Sequence, residues 1–137
     1  MPPLVAISQV SASIGRALVR ARKWGIVRGM NDDRIARFRA MTERFPERAP
    51  PWFSLARALH DADRHAEAAP HYATALKLQP DLMMAALHRA ECLLETGELD
   101  EAEAAAKAAL QMAVQQGHTS PQADAQALLE DIEDERG

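Results

Sequence analysis

The chain has 137 residues, 47% of them hydrophobic and 26% charged, which fits one globular domain with a modest core. Aromatic residues make up only 4% and alanine far outnumbers the six glycines, so helix is favoured over sheet and an all-α chain is expected. No apolar run reaches the roughly 18 residues of a membrane span. The single cysteine, Cys92, leaves no internal disulfide and suits a reducing compartment, with a cytoplasmic setting expected.

Residues 4–28 read as an amphipathic helix, with Ile7, Val10, Ile14, Ala17, Ala21 and Trp24 on a three-then-four spacing and the arginines off that stripe. Residues 1–30 carry five bases and no acid, whereas residues 81–137 carry 13 acids against three bases. Phosphate binding needs clustered Lys and Arg, so nucleic acid is disfavoured as a partner of the main body. Membrane contact is expected only through residues 1–29. This basic head, read as a loosely attached appendage, supports two readings besides a faint likeness to a transit peptide. One is an anchor to an anionic membrane surface or nucleic acid; the other is an apolar stripe that covers a second copy and gives a homodimer.

From Asn31 the signals sharpen. Asn31 reads as an N-cap and Asp32 and Asp33 suit the positive end of a helix. That helix runs to about Arg44 on a stripe of Ile35, Phe38, Met41 and Phe45, and Pro46 stops it. Pro50 and Pro51 open the next helix, which runs to about Ala62. A short link leads to a helix from His65 to Leu78, with Pro70 near its beginning. Asp81 is expected to cap a helix that ends at Thr96, and Gly97 to supply the left-handed turn after it. A long helix from Glu98 to Gln116 stops at Gly117. The last helix starts with Ser120 as N-cap and Pro121 behind it, and its apolar stripe is Ala125, Leu128, Leu129 and Ile132. Glu133, Asp134 and Glu135 lie at a negative helix end, so the tail should fray.

One interval organises this list. Ala56 and Ala90, Leu59 and Leu93, Asp63 and Gly97, Ala68 and Ala102, Tyr72 and Ala106, Ala75 and Ala109 all stand at a constant interval of 34, the mark of a repeat array. With Trp52, Leu55 and Pro80 in the first copy, the pattern resembles the tetratricopeptide repeat, a helix-turn-helix unit of about 34 residues. The second copy departs from it, having Ala86, Arg89 and Ala106 where bulky residues are usual and Val114 in place of proline. The resemblance implies antiparallel helix pairs stacked as a short right-handed α-solenoid. It divides the chain into a head (1–29), a degenerate half repeat (30–48), two repeats (49–82 and 83–117) and a C-terminal capping helix with its tail (118–137).

The resemblance also implies a function. Such arrays hold a peptide or partner protein in a concave groove lined by the first helix of each pair. By position the groove residues would be Phe53, Arg57 and His60 from the first repeat, and Met84, Leu87, His88 and Glu91 from the second. A subset of the family grips a C-terminal carboxylate with Lys and Asn, but Phe53, Arg57 and Leu87 stand at the matching sites, which argues against that specificity. No catalytic constellation or cofactor motif is evident. Of the five histidines, only His60 and His65 are close in sequence, across a turn and with no nearby cysteine to complete a metal site. Cys92, among Ala90, Leu93 and Leu94, reads as an inert buried thiol.

Overall fold

A computed structural model describes residues 30–137. Everything expected of residues 1–29, including the amphipathic helix and its anchoring or dimerising roles, lies outside the described residues. So does any first helix of the half repeat. The described residues form six helices and no strand: α1 (30–44), α2 (Ala49–Asp61), α3 (His65–Leu78), α4 (Met83–Glu95), α5 (Leu99–Gln116) and α6 (Thr119–Arg136). Each helix from α2 onward packs against the next in the chain, and α6 also reaches α4. The result is a stack of antiparallel helix pairs closed at one end by α6.

The close stacking follows from alanine. Ala56, Ala58, Ala68, Ala75, Ala85, Ala90, Ala102, Ala106, Ala113 and Ala125 are all completely buried, and at each of them a helix backbone can approach its neighbour without a long side chain between. Larger residues fill the remaining space: Leu55, Leu59, Tyr72, Leu87, Leu93 and Ile132 are each no more than 2% exposed. One core joins Ile35 of α1 to residues of α2, α3, α4 and α5 and to Ile132 of α6. A smaller one, Ala86, Leu87, Ala109 and Ala125, ties α4 and α5 to the capping helix.

The interval seen in the sequence recurs in the backbone. Asp63 and Gly97 both take positive φ, 59° and 81°, the left-handed conformation that an aspartate tolerates better than most residues and a glycine adopts freely. Around them Arg64 N–H donates to the Leu59 carbonyl and Glu98 N–H to the Leu93 carbonyl, each at 2.9 Å. The inner pairs are Asp63 to His60 and Gly97 to Leu94. This is the Schellman closure of a helix, and it recurs after α5, where Gly117 has φ 72° and His118 N–H donates to the Ala113 carbonyl.

Helix starts depart from the sequence reading. Residue 30 is already helical, so Asn31 lies within α1 and does not cap it. Leu82, not Asp81, precedes α4, and His118, not Ser120, precedes α6; neither makes a side-chain cap. The tail is also better held than its charge suggests. α6 continues to Arg136, whose guanidinium donates to Asp100 at 2.6 Å and to Glu103, both on the first turns of α5. Before α2, the Trp52 indole N–H donates to the Pro46 carbonyl at 3.0 Å, and Arg44 and Arg48 lie over the Phe45 ring. Among the described residues, no helix is long and apolar enough to cross a membrane.

Candidate functional site

The stack brings α2 and α4, the first helices of the two repeats, side by side in the register set by Arg57 and His88, which are 31 residues apart. Phe53, Arg57 and His60 lie at i, i+4 and i+7 along α2; Met84, His88 and Glu91 have the same spacing on α4. Such residues share one helix face. Arg57 meets His88 and His60 meets Glu91, so the two stripes form one surface. Phe53, Arg57, His60, Met84 and Glu91 are half-buried and His88 is 9% exposed.

Hydrogen-bond chemistry fixes the state of this surface. A guanidinium has no lone pair to offer, so Arg57 Nη1 donates to His88 Nε2 at 2.8 Å. The ring proton of a neutral His88 therefore sits on Nδ1, from which it donates to Glu91 Oε2 at 3.2 Å. The same carboxylate oxygen faces His60 Nε2 at 3.6 Å. On its other side, His60 Nδ1 is 3.1 Å from the Tyr72 hydroxyl. Burial pushes the Tyr72 phenol far above its ordinary range, with a further push from Cys92; with the His60 ring proton on Nε2, toward Glu91, the Tyr72 O–H donates to Nδ1. Tyr72 rises from α3 beneath the surface, its ring 5.8 Å from Phe53, 6.0 Å from His60 and 5.8 Å from His88.

Glu91, His60 and His71 are all shifted below their ordinary values. Burial acts to raise the Glu91 carboxyl, but the hydrogen bond from His88 and the nearby His88, His60 and Arg57 outweigh it and hold the group below its ordinary value. Burial lowers His60, opposed by Glu91 and helped by His88 and His65; His71 is lowered too, by burial and then by Arg39. A histidine held below its ordinary 6.5 leaves the unfolded chain binding more protons as pH drops, so its stabilising effect is complete above 6.5 and is lost on acidification toward the folded value. The urea midpoint is accordingly expected to fall between about pH 7.5 and pH 5. His60→Gln should flatten that slope and His71→Gln flatten it further; an unchanged slope in the double variant contradicts the assignment.

Leu87 does not belong to this surface. It is 2% exposed and packs with Ala109 and Ala125, because the capping helix covers the part of α4 where the repeat pattern opens a groove. Two residues join the site without having been expected there. Tyr72 was legible only as the aromatic of the repeat, yet it is the floor of the face. Cys92 comes from α4 to within ligand distance of His60 and His65: one donor atom from each lies within 4.8 Å of the others. The absence of a cysteine near those histidines held along the sequence and not in space. A second set on the same criterion is His60, His88 and Glu91. The cleft lined by Ala69, Pro70, Arg89 and Leu93, about 280 Å³, includes no residue of the two stripes.

Nested helix hairpins that present a polar, half-open face on successive first helices define a helical-repeat scaffold. The sequence model of the tetratricopeptide repeat matches residues 31–82 and 53–117, and the chain belongs to that family. Comparison with curated proteins finds no match. Solved structures share the fold. The type III secretion chaperone SycD of Yersinia enterocolitica, in complex with a peptide of the translocator YopD, is 18% identical with a TM-score of 0.72, covering 98% of each chain. PcrH in complex with the chaperone-binding region of PopD is 22% identical with a TM-score of 0.74, covering 99% of this chain and 97% of that one. The TPR2B domain of yeast Sti1 with pHsp70 is 18% identical with a TM-score of 0.71, covering 88% and 95%.

Proposed function

We propose that the protein is a non-catalytic interaction module that holds an extended segment of a partner polypeptide against the α2–α4 face. The observation that carries this reading is the continuous chain Arg57, His88, Glu91, His60, which spans two successive repeats on a half-open surface. The chain orients donors and acceptors at fixed spacing. Arg57 keeps further N–H groups for peptide carbonyls or a carboxylate, and among the described residues no carboxylate lies within ion-pair distance of it. Phe53 and Met84 flank the polar line with apolar surface, the methionine adaptable in shape. The structures with a similar fold that hold peptides or partner segments support the reading by analogy of architecture.

Interfaces concentrate their energy in a few residues, arginines and aromatics prominent among them. Affinity capture from the native host, comparing the wild type with Phe53→Ala and Arg57→Glu, tests the proposal. Each variant should retain the same partner about tenfold less well or worse, the equivalent of roughly 1.4 kcal/mol, with unchanged helical content. Equal capture by all three proteins would move the binding site elsewhere.

A further inference from the structure

Where α2 ends, α3 begins and α4 passes, the fold gathers two imidazoles and a thiol. His60 belongs to the last turn of α2, His65 is the first residue of α3, and Cys92 lies on α4 with no exposure. Their rings and sulfur are packed together: the His60 and His65 centroids are 5.3 Å apart at 71°. His65 Nδ1 is buried with no hydrogen-bond partner among the described residues, which is costly for a polar atom unless something else satisfies it. Its other nitrogen lies 3.7 Å from Asp63 Oδ1. A histidine that faces a carboxylate with one nitrogen and leaves the other unpaired has the arrangement of a metal ligand with its outer partner.

We infer that His60, His65 and Cys92 form a binding site for one zinc ion, with the fourth position open to water. Two nitrogens and a sulfur are the donors zinc takes in tetrahedral sites. With Zn–N about 2.0–2.1 Å and Zn–S about 2.3 Å, tetrahedral ligand atoms lie roughly 3.3–3.8 Å apart. The present spread, within 4.8 Å, must contract by roughly 1 Å for the ion to be held at these distances. The alternative set of His60, His88 and Glu91 is less suited. Its His88 already accepts from Arg57 and donates to Glu91, so a metal there breaks existing hydrogen bonds beside a guanidinium cation. At the inferred site, His65 Nδ1 gains a partner it lacks, and only His60 gives up a contact, with Tyr72 or with Glu91. The thiol must lose its proton as the Zn–S bond forms, and that proton goes to solvent.

Cobalt(II) reports such a site optically, since a thiolate ligand adds a sulfur-to-metal charge-transfer band and tetrahedral geometry intensifies the visible bands. The full chain, kept reduced, should titrate with Co²⁺ to one equivalent, show both features, and lose them when Zn²⁺ is added. Cys92→Ser should abolish the charge-transfer band. His65→Gln, at a half-buried position, should keep the fold by circular dichroism and weaken binding at least as much as the about 10- to 100-fold typical of losing an outer partner. His118→Gln, at the exposed start of α6, should leave both band and affinity in place. No charge-transfer band in the wild type, a band that survives Cys92→Ser in a folded protein, full affinity in His65→Gln, or loss of the band in His118→Gln would each overturn the assignment. None of these readings needs the peptide partner.

Discussion

Tyr72→Ala is expected to destabilise the protein by about 3–5 kcal/mol, the usual cost of deleting a large buried aromatic side chain. Tyr72 has no exposure, and it is the largest of the fully buried side chains. Its ring is surrounded by Phe53 and His60 from α2 and His88 from α4, so the cavity would open beneath the joint between two repeats. Neither helix can collapse into it without breaking the Arg57–His88 contact above. Tyr72→Phe keeps the ring and removes only the hydroxyl that faces His60, and should cost about 0.5–1.5 kcal/mol. Urea unfolding monitored by circular dichroism reads both through the midpoint at constant m-value. A loss of less than about 1 kcal/mol in Tyr72→Ala would contradict the packing described.

Ala90→Leu should lower stability by about 1–3 kcal/mol through overpacking. Ala90 has no exposure, and its repeat counterpart Ala56 has none either; both allow one helix to lie close on the next. Leucine has nearly the helix propensity of alanine, so the loss would come from crowding and not from the backbone. Ala104→Leu on the exposed side of α5 makes the same chemical change without the crowding, and its melting temperature should match the wild type. Equal melting temperatures for Ala90→Leu and Ala104→Leu would remove small side chains as the reason the helices nest.

The elements legible in the sequence are those that follow from the repeat. Equivalent alanines at one constant interval marked the helix pairs, and Asp63 opposite Gly97 marked turns that indeed share a left-handed residue and the same closing hydrogen bonds. Helix starts were less legible, because Asn31, Asp81 and Ser120 have the right side chains for caps while packing of the hydrophobic faces decides where each helix begins. The charge argument for a fraying tail left out a contact that is distant in sequence. It weighed Glu133, Asp134 and Glu135 against the helix dipole and missed that Arg136 reaches back to Asp100 and Glu103, 36 and 33 residues earlier.

The candidate face was half legible. The spacing of Phe53, Arg57 and His60 along α2, and of Met84, His88 and Glu91 along α4, puts each set on one face. Their mutual register, which sets Arg57 against His88 and His60 against Glu91, arises only from how the helices slide past one another. Leu87 fits the same pattern and is nevertheless buried, since the capping helix lies over it. Cys92 shows the converse. In sequence it is a hydrophobic neighbour of Leu93, and only three converging helices place its sulfur beside His60 and His65.

The most direct test of the α2–α4 face as a partner-binding surface is site-specific photo-crosslinking in the native host. One copy would carry the crosslinker in place of half-buried Met84, and another in place of exposed Gln111 on α5. A discrete adduct from position 84 that is absent from position 111, and that disappears when Arg57→Glu is added, is the expected result. An adduct from position 111 alone, or one from position 84 that persists with Arg57→Glu, would contradict it.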